Sequence, residues 1–395
     1  MNASEKFRQE TRDWLDINCP ESQREPVVAA DQFWGGTNPI FASEDAKIWF
    51  ERMRDNGYVA PEWPEEYGGA ALDVQQAKIL KEEMKRIKAR PPLYGLGLWM
   101  LGPALLEYGN EQQKQLHLNR IVQGQARWCQ GYSEPGAGSD LASLQCKAED
   151  KGDHFLINGS KIWTTKANEC NWIFCLVRTN TDVKKQEGIS FLLIDMENSG
   201  VTTKPIVLIS GESEFCQTFF DNVKVPKENL VGELNKGWSV AKALLKHERK
   251  LMSELGSENP RLNFTPAAAA RQYKKFVNGK LVDTKLRTEL TNYDMDTQAI
   301  TLTHQRIFEE HRAGIQTSLP TIMKFAGTEL EKRRSELNIA LMGSQGMSFE
   351  GNTFTELEKF STLAWAMSKT TTIAGGSSEV QLNIVSKRIL GLPES

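Results

Sequence analysis

Cysteine is sparse and scattered in this 395-residue chain. The six residues, at positions 19, 129, 146, 170, 175 and 216, form no CxxC pair and adjoin no histidine cluster. That pattern argues against a disulfide framework and against a metal site, and it favours a reducing compartment. An excess of one charge is also lacking, with 48 Lys+Arg against 51 Asp+Glu, so neither a polyanion nor a membrane surface is an implied partner. No window approaches the ~18 apolar residues of a membrane span. The opening Met1-Asn-Ala-Ser-Glu-Lys has no apolar stretch of the kind a secretory leader carries. The expectation is a cytoplasmic protein of two or three domains, each of roughly 100–200 residues.

What is present changes character along the chain. Phe7, Thr11, Trp14 and Leu15, and again Ile48, Trp49, Phe50 and Met53, recur at helical spacing, so 1–127 reads as a helical domain. Pro26–Ser43 reads as a loop, and Pro61–Gly69 is too rich in breakers to continue a helix. From 128 to 235 come short β-rich runs, among them Trp172–Arg178 and Ile189–Asp195. Asn158-Gly159 and Asn198–Gly200 read as turns between strands, and Val223–Glu233 as an irregular exit, so this part reads as a small antiparallel β-domain. Over 236–395 helical periodicity returns, interrupted at Gly256–Pro266 and Gly343–Gly351. Helices, then strands, then helices imply an α+β multidomain chain, not an alternating α/β sheet.

Two segments carry chemistry. Gly131-Tyr-Ser-Glu-Pro-Gly-Ala-Gly-Ser-Asp140 clusters small residues that let a main chain approach a ligand and aim N–H groups at phosphate oxygens. Lys161-Ile-Trp-Thr-Thr165 offers in Trp163 a flat apolar face suited to an aromatic ring system. A glycine-rich hairpin and a buried core Trp would account for each segment taken alone. A third feature is Glu248, which falls within an otherwise apolar helical stripe of Leu244, Leu245, Leu251, Met252 and Leu255. Burial there would raise its pKa toward that of a useful base. The competing reading is a solvated glutamate in the charged run Lys246–Lys250.

The two segments at this spacing resemble the flavin-contacting signature of the acyl-CoA dehydrogenase family, and the helical–β–helical order resembles that fold from end to end. The resemblance implies a helical N-terminal domain, a central antiparallel β-domain and a C-terminal four-helix bundle. It also implies FAD as cofactor, an acyl-CoA substrate, an electron-transfer flavoprotein as acceptor, and assembly as a homo- or hetero-oligomer. Carried over residue by residue, it places Gln130, Tyr132 (through its main chain), Ser133, Gly138, Ser139, Trp163, Thr165, Ser377 and Glu379 at the flavin. Ser139 would also face CoA. Ser377 reads equally well as a plain helix-start residue.

The family's common base, a carboxylate near the C-terminus, is replaced here by Gly375 in Thr372-Ile-Ala-Gly-Gly-Ser-Ser-Glu-Val-Gln381. Glu248-Arg249 resembles the arrangement in isovaleryl- and long-chain-type members, whose base precedes an Arg on this helix. Glu248 is then the implied α-proton base and Arg249 an implied CoA contact. Gly375 would leave room for a bulky acyl group and present its N–H to the thioester carbonyl; an ordinary Gly-Gly turn reads equally well. Lys275–Gly279 and Ala340 depart from family positions that reach a neighbouring subunit's flavin, so a symmetric homotetramer is not implied. The tract Trp128–Gly136, with Glu248 and Gly375, resembles pimeloyl-CoA-type large subunits and bacterial steroid-side-chain enzymes, some of which pair with a different second chain. A catalytically silent flavin-binding subunit and an acyl-CoA oxidase are the alternatives.

Overall fold

A computed structural model describes residues 2–25, 31–245 and 264–393. They fall into two compact units, one drawn from Met1–Ile206 and Ser213–Leu251, the other from Val207–Glu212 and Met252–Ser395.

The first unit opens with helices α1 (Ala3–Asn18), α2 (Glu44–Asp55) and α3 (Val74–Arg86). Their starts follow from local chemistry. Asn2 with Glu5, and Asp73 with Gln76, form capping boxes, and the Ser43 hydroxyl accepts from Ala46 N–H. Helix α3 packs on α1, and there the Glu83 carboxylate is buried against Arg8, Arg12 and Arg86 at 2.7–3.0 Å.

Eight strands follow in one sheet: β1 (Trp128–Gly131), β2 (Lys147–Asp150), β3 (His154–Thr165), β4 (Trp172–Arg178), β5 (Ile189–Asp195), β6 (Val201–Ile206), β7 (Phe215–Pro226) and β8 (Leu230–Val231). The path is β6-β7-β3-β2-β4-β5-β8, with β1 also paired to β4. Most pairs are antiparallel, as expected, but β1 and the first residue of β2, Lys147, pair in parallel with β4, so the sheet is mixed. The physical reason is connectivity: β1 is the strand by which the chain enters from the helices, and it reaches β4 through the long loop after Gly131 and the β3 excursion.

Strands β4 and β5 are apolar on both faces because both are covered. Phe174, Leu176, Phe191 and Leu193 point into the core shared with Leu101, Leu105, Ile121 and Val122 of the helical segment. Ile173, Cys175, Val177, Leu192 and Ile194 point into a second core. At roughly 1.5–3 kcal/mol per buried large side chain, this two-sided burial joins the helices and the sheet into one unit. Two further helices, α4 (Gly102–Tyr108) and α5 (residues 237–245), add to the first core, α4 through Ala104 and Leu105 and α5 through Val240, Ala241 and Leu244.

Two expectations for the β-domain are corrected. Asn158-Gly159 is not a turn: β3 runs straight through it, with a register shift against β7 between Ile157 and Gly159. Gly159 has φ 143° and lies so close to Cys146 that an added Cβ would sit 2.8 Å from its Cα, so the dipeptide serves a bulge and a close approach. Val223–Pro226 likewise belongs to β7, pairing with His154–Ile157, and is not an exit loop.

The second unit holds α6 (Pro266–Tyr273), α7 (Thr284–Arg312), α8 (Pro320–Met342), α9 (Glu356–Thr371) and α10 (Ser378–Ile384). Helix α8 is the hub and packs on the other four. Lys275–Gly279, expected on a helix, instead forms a hairpin of β9 (Phe276–Val277) and β10 (Lys280–Leu281). Asn278 and Gly279 take φ 50° and 73°, the pair of left-handed residues that a two-residue hairpin turn requires. Among the described residues no helix is long and apolar enough to cross a membrane.

Candidate active site

Trp163 sits where β3 loses register with β7, between Lys161 and Thr164. The extra residues put Trp163 at φ 62°, a conformation a bulky side chain adopts at a cost of roughly 1–3 kcal/mol. The surroundings hold it there. The Thr164 hydroxyl is buried and bonds the Cys216 carbonyl at 2.9 Å and the Thr218 hydroxyl at 2.8 Å. The result is an indole that is 53% exposed, touched edge-on by Phe215 at 6.1 Å. A strained, outward-facing Trp at a bulge is how a sheet re-aims a side chain toward a ligand.

The glycine-rich segment folds beside it. Glu134 and Ala137 exchange two backbone hydrogen bonds of 3.0 Å, making Pro135-Gly136 the tip of a tight turn. A Cβ added at Gly136 or Gly138 would meet nothing within 4 Å, so one side of this main chain is bare and open. Tyr132 buries its ring against Phe174 and Phe191, leaving only its main chain for a ligand. Ser133 and Gln130 are half-buried, Ser139 is exposed, and Thr165 ends β3 half-buried. A cavity of about 510 Å³ is lined by Glu134, Gly136, Ser143, Gln145, Cys146 and Ser160, among others.

Sequence position separates the two segments, but the fold joins them. Ile162 N–H donates to the Ser133 carbonyl at 2.9 Å. The fully buried Lys161 ammonium bonds the Tyr132 carbonyl at 3.1 Å and Glu134 Oε1 at 2.7 Å. Just beyond, Asp140 accepts from the Ser143 hydroxyl and, at 2.9 Å, from Lys185, and these contacts hold its carboxyl below the usual range. Arg178, buried in the same region, donates to the carbonyls of Ala142, Leu144 and Lys185, so both ends of the loop are tied to the sheet. An open main-chain face next to an exposed indole fits an elongated ligand carrying phosphates at one end and a flat ring at the other, as a flavin dinucleotide does.

Gly375, Ser377 and Glu379 lie in the second unit. Gly375 and Gly376 take φ 66° and 97° in the turn before α10. Lys324 Nζ donates to the Gly376 carbonyl at 2.6 Å, and Gln381 Nε2 to the Gly375 carbonyl at 3.4 Å. Among the described residues none accepts from the Gly375 N–H. The Ser377 hydroxyl accepts from Val380 N–H, so it does act as the helix cap. Glu379 is exposed, and its own N–H, then the Ser377 hydroxyl, hold its carboxyl below the usual range. Glu248 and Arg249 lie outside the described residues.

Lys161, Glu134 and Lys324 were not singled out from sequence. For Lys161 a signal existed: counting alternate residues inward along β3 from Phe155 and Ile157 puts a lysine on the core side. Lys324 offered none, since its partner is a backbone carbonyl 52 residues away.

The site's segments coincide with known sequence families. Residues 3–125 match the N-terminal domain of acyl-CoA dehydrogenase, 129–223 its middle domain and 235–390 its C-terminal domain. The chain is 33% identical to acyl-CoA dehydrogenase IpdE1 of Mycobacterium tuberculosis over 398 residues, covering 100% of this chain and 99% of that protein. It is 32% identical to FadE34 of the same organism, covering 86% of this chain and 45% of FadE34. Among solved structures, the Tcur3481-Tcur3483 steroid ACAD superposes with a TM-score of 0.75 at 29% identity, covering 100% and 98% of the two chains. The ChsE4-ChsE5 complex from Mycobacterium tuberculosis gives 0.72 at 25%, covering 100% and 99%. This chain belongs to the acyl-CoA dehydrogenase family of flavoprotein oxidoreductases.

Proposed function

We propose that the chain is an FAD-dependent dehydrogenase that oxidises an acyl-CoA thioester between Cα and Cβ to the trans-2-enoyl-CoA. The observation that carries this reading is the joining of the Trp163 bulge to the Ser133 loop, which sets a bare main chain beside an exposed indole. Gln130, Tyr132, Ser133, Gly138, Ser139, Trp163 and Thr165 would hold FAD, with Ser377 and Glu379 as its further contacts. Bound FAD supplies the acceptor for the β-hydride. Glu248 takes the α-proton, Gly375 N–H holds the thioester carbonyl as it gains enolate character, and Arg249 and Ser139 contact CoA.

The physiological acceptor is read as an electron-transfer flavoprotein. The acyl group is read as bulky, because Gly375 adds no side chain and because solved relatives include a steroid ACAD. Oligomerisation, with itself or with a related second chain, is supported by apolar side chains on α7 that face solvent, among them Met295, Leu302 and Phe308.

Anaerobic rapid mixing with sterol-derived, branched, dicarboxylic and short acyl-CoAs tests the reading, with flavin bleaching as the signal. Glu248→Gln keeps the volume and removes the base, so bleaching should slow by roughly 10²–10⁴-fold with FAD still bound. Bleaching at near the wild-type rate would place the base on another carboxylate.

A further inference from the structure

The Lys161 side chain links the two flavin-facing segments, yet no part of the reaction uses it. It is 0% exposed and stands at the last in-register position before the bulge that carries Trp163. Its ammonium reaches across to the other segment, where it bonds the Tyr132 carbonyl and Glu134. Glu134 is itself nearly buried and fully engaged. Its Oε2 accepts from Gln145 N–H at 2.6 Å, and its Oε1 accepts from Cys146 N–H at 2.8 Å. Burying two charges costs several kcal/mol per ion before their attraction is counted, and an apolar pair of the same volume often stabilises a core as well. Stability alone therefore does not account for this pair, whereas geometry does.

The peptide between Tyr132 and Ser133 is trans, so its carbonyl and N–H point in opposite directions. Lys161 draws the Tyr132 carbonyl inward, which turns the Ser133 N–H away from the ammonium. Among the described residues nothing accepts from that N–H. The Ser133 carbonyl is committed to Ile162 N–H, so the peptides on both sides of Ser133 are fixed from the β3 side. We infer that Lys161, held by Glu134, is a positioning residue that orients the Ser133 main chain toward the flavin ring and fixes its spacing from Trp163. The inference rests on the flavin reading above and adds to it how the ring's hydrogen-bond donor is held.

The test separates positioning from packing. Lys161→Met alone leaves the Glu134 charge buried without its partner and should unfold readily. In the full-length double variant Lys161→Met with Glu134→Gln the buried charge is gone, and the amide oxygen remains as acceptor for one of the two N–H groups, of Gln145 and Cys146, that the carboxylate served. Its melting temperature should recover most of the loss seen in Lys161→Met, because the unpaired buried charge is removed. Its dissociation constant for FAD, titrated into apoprotein, should be at least about tenfold weaker. The bound flavin should also lose its resolved absorption shoulder and fluoresce more strongly, because the ring is no longer seated on Trp163. A stable double variant that binds FAD with wild-type affinity and spectrum overturns the inference.

Lys161→Arg gives a second reading that does not depend on the double variant folding. The ion pair is kept, but a planar fork cannot put its donor where the ammonium stood. Stability should hold while FAD binding weakens, and wild-type affinity and spectrum in that variant would also overturn the assignment. A wild-type protein that takes up no FAD refutes the flavin reading itself, and this inference with it. Uptake by wild type with equal uptake by the variants refutes only the inference.

Discussion

At the scale of single residues, Gly376 and Lys324 show how little contact is needed to define a turn. Two successive left-handed glycines are permissive on their own, and Gly loses more freedom on folding than any other residue. The Lys324 bond to the Gly376 carbonyl and the Gln381 bond to the Gly375 carbonyl select one arrangement, in which no described residue accepts from the Gly375 N–H. A hydrogen bond to a charged group contributes roughly 1.5–3 kcal/mol, so Lys324→Met should free the turn. The expected outcome is acyl-CoA binding weakened by about tenfold or more with FAD retained, read from KM and from titration with an enoyl-CoA product. Unchanged acyl-CoA affinity would remove Lys324 from the account. Trp163 stands out in the sequence through the Lys161–Thr165 segment and its resemblance to a flavin-contacting signature, although a buried core Trp read as well there and the side chain is exposed. The devices that aim it were not legible, because they are backbone partners that only the fold supplies.

At the scale of elements, the same dipeptide had two fates. Asn158-Gly159 reads as a turn and lies inside a strand, whereas Asn278-Gly279 closes a hairpin within a stretch that reads as helical. What decides is the partner available to the flanks. The long β7 pairs with β3 on both sides of Gly159, while Phe276–Val277 and Lys280–Leu281 have, among the described residues, only each other. Local chemistry marks where a chain can turn, and pairing determines whether it does.

The junction of the helices and the sheet carries an element-scale prediction. His117, in the helical turn Lys114–Leu118, is 1% exposed and lies edge-on to Trp128 at 5.3 Å and to Trp172 at 5.0 Å. Burial, with a smaller contribution from Arg120, pushes its imidazole down to about 4. An unfolded histidine titrates near 6.5. The stability that depends on a neutral His117 is therefore complete above pH ~6.5 and is lost as pH falls toward about 4, by about 3 kcal/mol in all. His117→Phe removes both the proton site and a ring nitrogen, Nδ1, that has no hydrogen-bond partner among the described residues. Denaturant melts of this variant should show a flatter stability profile between pH 6.5 and 4, and a slope equal to wild type would shift the acid sensitivity to other groups.

At the scale of the whole chain, the helical–β–helical order was legible because composition changes twice, and the family match follows the same order. The fusion of the N-terminal helices with the sheet into one unit was less legible. Its sign was the unbroken apolar run of β4, since a strand with one wet face would have alternated.

The second core, on the other face of the sheet, shuts most of the thiols away. Cys129, Cys146, Cys175 and Cys216 are at most 1% exposed in the second core, and burial pushes the Cys129 and Cys175 thiols well up. A folded molecule thus presents these sulfurs to no reagent, and alkylation must wait for the sheet to open. The cysteines are a built-in clock for opening events that spectroscopy averages away. If FAD binds only the closed form, its presence at a hundredfold over its dissociation constant should slow their labelling by about a hundredfold, as mass spectrometry of alkylated peptides would count. The same sulfurs, inert in every folded molecule, would then record how often the molecule stops being one.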